Sequence, residues 1–297
     1  MQPFKRTLRI GWAVAAVGLM LAEHLQAAAE STAEGHHGLS PAPPILFHIG
    51  PFPITNSIVV SWIVTIALIT IARLATRKMQ LIPSGLQNFV EWVVESLFSF
   101  LESILGHKLT LKTFWYFASV FIFILAANWF GLIPGVGTIG YGYDSPHGFI
   151  LTKPLLRGAT ADLNLTFALA MIFFVFWLIW SIRANGVAGF ISHLFGPRGD
   201  VTGALKIFLG FIFFVVGILE VISILFRPVS LSFRLYGNIF AGENMLEAMT
   251  SFPAPLSWVI PLPFYFLEIL VGFIQATVFM LLTAIFTMVS CSYEESH

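Results

Sequence analysis

Long apolar runs constrain this chain more than any other feature of its sequence. Asn56 to Ala75, Phe114 to Ile133, Leu163 to Ile182, 207–249 and 257–291 are each long enough to cross a bilayer, which takes about 20 residues of helix. Only 10% of the residues are charged and 57% are hydrophobic, against about 25% charged in a soluble domain. So little polar material cannot cover a water-facing surface. The expected fold is an all-α polytopic membrane protein with about five membrane helices. Period-two alternation, the mark of a membrane barrel, is absent. The formal net charge is 0, which offers no footing for nucleic acid. Cys291 is the lone cysteine, so neither an internal disulfide nor a cysteine-based metal site is available. No cofactor and no metal is expected.

Charges and breakers between the runs set the topology. Lys5, Arg6 and Arg9 precede an apolar stretch that ends in Gln26-Ala27-Ala28-Ala29. That pattern reads as a signal peptide over residues 1–29, with an uncleaved short anchor as the alternative. Residues 30–54 then form an extracytoplasmic segment, in which His36-His37 reads as a solvated tail rather than a metal site. The first membrane helix, 55–79, ends in Arg73, Arg77 and Lys78, and the positive-inside rule places that end in the cytoplasm. In 83–106, Phe89, Val93, Leu97 and Leu101 recur every four residues with Glu91, Glu95 and Glu102 interspersed. This is an amphipathic helix, either lying at the interface or bent and partly inserted.

A membrane helix over 113–135 stops at Pro134-Gly135, and an extracytoplasmic loop follows over 136–160. The next membrane helix, 161–183, stops at Arg183, and a cytoplasmic loop spans 184–205, with Arg183, Arg198 and Lys206 in or beside it. Segments 206–249 and 257–291 read as a helical hairpin whose turn, around Pro253-Ala254-Pro255, lies outside. The N-terminus is then outside and the C-terminus cytoplasmic. At ~1.5 Å per residue, over 40 residues reach ~60 Å, about twice the hydrocarbon thickness. This helix must be strongly tilted, broken or bent, with Pro228 as the candidate kink.

Ionisable groups inside membrane helices are rare and usually functional. The hairpin carries Glu220, Arg227, Arg234, Glu243, Glu247 and Glu268. Arg234 is a charge that cannot be discharged, deep in an apolar segment, where it costs about 2.5–3.5 kcal/mol. It is either a functional fixed charge or half of a structural ion pair with Glu243 or Glu268. Ser230, Arg234 and Asn238 share one helix face. Ala241 and Gly242 continue it with small residues that admit a close neighbour. Glu220 lies ~21 Å from Arg234 on nearly the same face, and Glu243 lies ~13 Å the other way on the opposite face. Glu268 and Gln275 share a face of the second arm. Counting from the turn, Glu243 and Glu268 reach similar depth, as do Arg234 and Gln275. The two carboxyls therefore form a shared polar pocket, or one of them neutralises Arg234.

Four stretches, in order, resemble the family of subunit a of F-type ATP synthases. They are Asn128-Trp129-Phe130-Gly131-Leu132-Ile133-Pro134-Gly135, Thr160-Ala161-Asp162-Leu163-Asn164-Leu165-Thr166, the run from Pro228 to Glu243, and Gln275-Ala276-Thr277-Val278-Phe279. The resemblance implies that Arg234 is the essential arginine facing the ion-binding carboxylates of a c-ring. It implies an outer half-channel at Glu243 and Glu268, polar neighbours of the arginine at Asn238 and Gln275, and a cytoplasmic half-channel at Glu220. Asp162, Asn164 and Ser230 match further polar lining. Position 268 holds different polar residues across the family.

The implied partners are the c-ring, the peripheral-stalk subunit b and the rest of the complex, with protons or sodium ions as cargo and a bacterial inner membrane as the location. The chain is not an enzyme by itself, having no Gly-rich loop ending in Gly-Lys-Ser/Thr. The rival readings are a secondary transporter that binds an anionic substrate at Arg234, and a membrane scaffold.

Overall fold

The computed structural model describes residues 42–137, 139–145, 148–195, 204–250 and 259–291. The signal-like segment, His36-His37, Arg198 and Pro253-Ala254-Pro255 lie outside the described residues. Among the described residues, five helices are long and apolar enough to cross a membrane: Asn56–Thr76, His107–Gly131, Leu163–Val187, Ile212–Met249 and Pro261–Cys291. The chain is an all-α polytopic membrane protein, carrying two short hairpins of strands.

Strands β1 (Ile45–Ile49) and β2 (Phe52–Thr55) pair antiparallel. Thr55 then caps helix α1 (Asn56–Thr76), its Oγ1 accepting from the Ile58 amide at 3.4 Å. Helix α2 (Leu86–Leu105) buries Leu97, Leu101 and Leu105 on one side and leaves Phe89 and Trp92 exposed on another. It ends at Gly106, whose φ of 74° suits glycine alone and whose N–H closes on the Glu102 carbonyl at 2.9 Å. Helix α3 (His107–Gly131) begins at the next residue. The reversal is immediate, so α2 folds back against α3 and α6.

Strands β3 (Gly140–Ser145) and β4 (Gly148–Pro154) form a second antiparallel hairpin. A buried single turn, Ala159–Ala161, leads into α4 (Leu163–Phe195). Helix α4 breaks at Gly186, where φ is 68° and ψ is 165°. Arg183 does not stop it: a long cationic side chain reaches water from within the last turn. Helix α5 (Ala204–Thr250) runs through Pro228, and α6 (Pro261–Cys291) completes the bundle. The 38-residue span within α5, Ile212–Met249, reaches ~57 Å, far beyond a ~30 Å hydrocarbon layer, so it cannot cross that layer straight and perpendicular.

Leu101, Phe117, Ile124, Phe173, Leu235, Phe279 and Met280 form the core between α2, α3, α4, α5 and α6. Outward-facing Ile66, Ile69, Val175, Phe226 and Leu270 are exposed, as lipid-facing side chains are. Lipid is as apolar as leucine, so close packing and polar contacts, rather than water exclusion, hold such helices together. Asn185 supplies one such contact, donating to the Ser290 carbonyl at 2.7 Å and tying α4 to α6. At the other end of the bundle lie the start of α1, the end of α3, β3–β4, the end of α5 and the start of α6. This end is the loop side of the bundle.

Candidate functional site

Helix α5 sorts its side chains sharply. Leu231, Leu235 and Ile239 recur every four residues and are buried, which anchors that face. Ser232 is buried and shares a 3.2 Å hydrogen bond with Thr166 of α4. Ser230, Arg234, Asn238 and Ala241 point away from the bundle and are exposed. Arg234 makes no hydrogen bond or ion pair with any described residue. Its immediate surroundings on the helix are short: Ser230, Gly237, Asn238 and Ala241. One turn toward the loop side, Asn238 donates to Gln275 Oε1 at 2.7 Å, and Gln275 is buried. The structure thus brings Asn238 and Gln275 together beside the arginine.

The loop side holds a second, buried cluster. Glu243 does not neutralise Arg234: its Oε2 pairs with Nε of Arg157 at 3.3 Å, and the Arg157 side chain is only 4% exposed. The Gly158 amide also donates to the Glu243 carboxylate. The Arg157 guanidinium lies 5.5 Å from the centroid of Phe240, within cation–π range. Glu268 is buried beside Gly242 and sits in the electrostatic field of Glu243. Neither carboxyl pairs with Arg234, and the two lie close enough to feel each other's charge.

Glycines make this cluster possible. A Cβ at Gly158 would collide with Oε1 of Glu243, and one at Gly242 would collide with the Glu268 carboxyl. A Cβ at Gly131 would stand 3.0 Å from the Gly158 Cα. Asn128 and Thr160 lock the same region: Asn128 Nδ2 donates to the Gly272 carbonyl at 2.9 Å, and Thr160 Oγ1 donates to Asn128 Oδ1 at 2.7 Å. Tyr265 adds a 2.6 Å bond to the Leu132 carbonyl. These contacts give physical roles to the residues around Asn128 and Thr160 that the sequence marked only as motifs.

Asp162 is buried at the mouth of α4, accepting from the Asn164 amide at 2.9 Å and from Thr55 Oγ1 at 3.4 Å. Burial lifts its carboxyl above the usual carboxylate range; hydrogen bonds from the Asn164 backbone, Thr55 and the Asn164 side chain, with the charge of Arg157, oppose this without cancelling it. Asn164 itself is exposed and serves Asp162 through both its backbone and its side chain. Glu220 stands apart from the loop-side cluster. It is half-buried on the far half of α5, within the field of Arg227, whose guanidinium lies 4.6 Å from the Phe286 ring. Among the described residues, no three His, Cys, Asp or Glu side chains gather as a metal set.

Arg157 is the residue that sequence reasoning missed. A signal for it exists in the charge count: segments 207–249 and 257–291 hold four glutamates and two arginines, so a cation from elsewhere is called for.

The model of the family described as "ATP synthase A chain" matches residues 58–288. The chain belongs to the ATP synthase A chain family. It is similar to ATP synthase subunit a of Moorella thermoacetica, 37% identical over 238 residues, or 80% of this chain and 91% of that one. It is similar to subunit a of Solidesulfovibrio magneticus, 36% identical over 233 residues, or 78% and 83% of the two chains. A subunit a of Campylobacter jejuni is 32% identical over 252 residues, covering 84% and 91%. As a member of this family the chain is a non-catalytic, membrane-sector subunit, and its five apolar helices make it an integral membrane protein.

Proposed function

We propose that this chain is the stator that passes ions to and from a rotating ring of carboxylate-bearing subunits, coupling their flow to rotation and ATP synthesis. One observation carries the reading: Arg234 is exposed, free of ion pairs among the described residues, and has short side chains beside it on an α5 face that no described residue covers. A permanent charge in an apolar layer is too costly to leave without use. Its missing partner is a carboxylate on another chain, brought close by the small residues around it.

In this reading an ion enters from the loop side past Glu243 and Glu268 and reaches a ring carboxylate near Asn238 and Gln275. The neutralised ring site turns through lipid, and the ion leaves on the far side near Glu220. Arg234 favours the ionised ring site, promotes release, and blocks cation leakage between the two paths. Ser230, Asp162 and Asn164 line the paths or support them. The basic ends at Arg77, Lys78 and Arg183 face the cytoplasm, the loop side faces out of a bacterial inner membrane, and subunit b completes the static assembly. One elementary charge crossing 100 mV supplies ~2.3 kcal/mol.

The test is disulfide crosslinking from Asn238→Cys, in a Cys291→Ser background, to cysteines scanned along the ring subunit's outer helix. Crosslinks should centre on the ring carboxylate. A chain that purifies alone, folded and without any crosslink would point to a transporter instead.

A further inference from the structure

Residues 42–55, which lead into the first membrane helix, contain no Asp, Glu, Lys or Arg, and His48 is their one titratable side chain. They hold the β1–β2 hairpin, which turns at Gly50, where φ is 62°. Two strands alone are marginal in water, so the hairpin needs support, and its base is supported. Ile54 is buried, and the Asn56 amide donates to the Pro44 carbonyl at 3.3 Å. Asn56 Nδ2 donates to the Pro154 carbonyl at 3.0 Å, and Thr55 Oγ1 donates to Asp162 at 3.4 Å. These bonds fix the base at the loop side, and Asn56 begins α1 directly after β2 ends. The hairpin therefore emerges where the apolar layer ends.

Register divides the hairpin into two faces. Residues directly opposite one another share a face, and successive residues alternate. Phe47 lies opposite Ile54 and Ile49 opposite Phe52, which puts Phe47 and Phe52 on one face, while His48 and Pro53 pair on the other. Ile54 packs into the protein, yet Phe52 is 71% exposed and Phe47 46% exposed. Two large rings thus stand uncovered by any described residue on the face whose base is buried, and grouped apolar exposure of this kind marks a contact surface. Pro51 and Pro53 leave β2 short of backbone donors. That disfavours a further strand adding from another chain, and it lowers the cost of taking the backbone out of water. Trp62 is exposed ~9 Å into α1, the kind of depth at which tryptophan sits at a membrane boundary. Exposed Ile63 and Ile66 continue the lipid-facing surface inward.

We propose that the β1–β2 hairpin lies on the bilayer rather than standing in water: Phe47 and Phe52 enter the boundary between headgroups and acyl chains of the loop-side leaflet, and His48 and Pro53 face water. The rings sit roughly 5–10 Å into that boundary, as the apolar face of an interfacial helix does. The occupant of the Phe face is lipid, held by apolar burial alone, because residues 42–55 carry no cation that would select an anionic headgroup. The lipid-facing surface of α1 thereby continues onto the hairpin. Through the Thr55 and Asn56 bonds the hairpin ties the bilayer surface to β4 and to the entry of α4. This inference stands apart from the ion path.

The test uses the complete ATP synthase holding this chain, with Cys291→Ser and other reactive cysteines removed, in lipid nanodiscs whose two faces are both open to water. A polarity-sensitive dye is attached at Phe52→Cys or, on the opposite face, at His48→Cys. Quenching is read with a lipid nitroxide near the top of the acyl chain and with aqueous iodide, and the amount of this chain in the purified complex reports assembly. The lipid nitroxide should quench the dye at position 52 about threefold or more over the dye at position 48, with bluer emission, and iodide should reverse the ranking. Phe47→Cys and Pro53→Cys repeat the two faces where either first variant fails to assemble. Equal iodide quenching on both faces overturns the proposal, because the hairpin then stands in water. A dye at position 52 that neither probe reaches also overturns it, because another protein then covers the face. Discs of phosphatidylcholine and discs containing phosphatidylglycerol should give the same ranking, and a ranking seen only with the anionic lipid overturns apolar burial as the holding force.

Discussion

Two arginines of this chain meet opposite fates within a few turns of each other. Arg157 is buried, paired with Glu243 and stacked near Phe240. Arg234 is exposed and pairs with no described residue. Both are costly in an apolar layer, but the cost is settled differently. Arg157 finds its counter-ion inside the chain, so it acts on the shape and charge of one pocket. Arg234 can be satisfied only from outside, so it acts on whatever approaches. A buried pair organises a site, whereas an unmatched charge recruits a partner.

That contrast breaks most openly at Arg234. Arg234→Ala is expected to reduce ATP-driven pumping about a hundredfold or more, with the chain still assembled, because no other described cation is exposed on that stripe of α5. Vesicle acidification beside a count of this chain in the complex checks it. Gly158→Ala attacks the other arginine's arrangement without touching a charge. The new methyl would collide with Glu243 Oε1, pushing the carboxylate off its partner. About a tenfold loss of pumping is expected, in the same assay, and full activity would mean that the pair is dispensable.

Asn128→Ala tests whether the pocket depends on its polar clamp. It leaves the buried Thr160 hydroxyl and the Gly272 carbonyl without their partner, a loss of about 1–3 kcal/mol per stranded group. The thermal midpoint of the complex should fall accordingly.

Asp162→Asn should matter least. The carboxyl's folded-state value is raised, so its ionised form burdens the fold above that value. The burden fades as pH falls toward the unfolded-state value of about 3.9. Asparagine removes it at every pH. The variant should match the parent to within about 1 kcal/mol at pH 7, gaining if anything, and the difference should shrink on acidification. Thermal midpoints at pH 7 and pH 5 decide the sign.

The helices were legible because apolar length and glycine–proline punctuation are local signals. The exposed stripe of Ser230, Arg234 and Asn238 was legible from four-residue spacing alone. The joint at Gly106 was harder. Lys108 and Lys112 depress the hydropathy of the first turns of α3, so the membrane run reads from Phe114 although the helix starts at His107. Strands β3 and β4 lie in a glycine-rich stretch with no clean alternation, so their hairpin leaves no period-two signal. Arg157 was hidden because its setting is made by segments far apart in the sequence. It follows Pro154-Leu155-Leu156 in what reads as an outside loop, where an arginine is ordinarily solvated. Its burial depends on α5 closing over the loop, which no local pattern encodes.

The three glycines at 131, 158 and 242 have a further consequence for how this pocket can change over generations or at a bench. Each stands where a side chain would meet a glutamate or another glycine's backbone. Residue size at the glycines and acid length at positions 243 and 268 are therefore one variable, not several. Enlarging Gly242 to alanine calls for shortening Glu268 to aspartate in the same step. A lineage, or a designer, that enlarges one of these glycines must accommodate the facing group in the same step, whereas shortening the acid first opens the way.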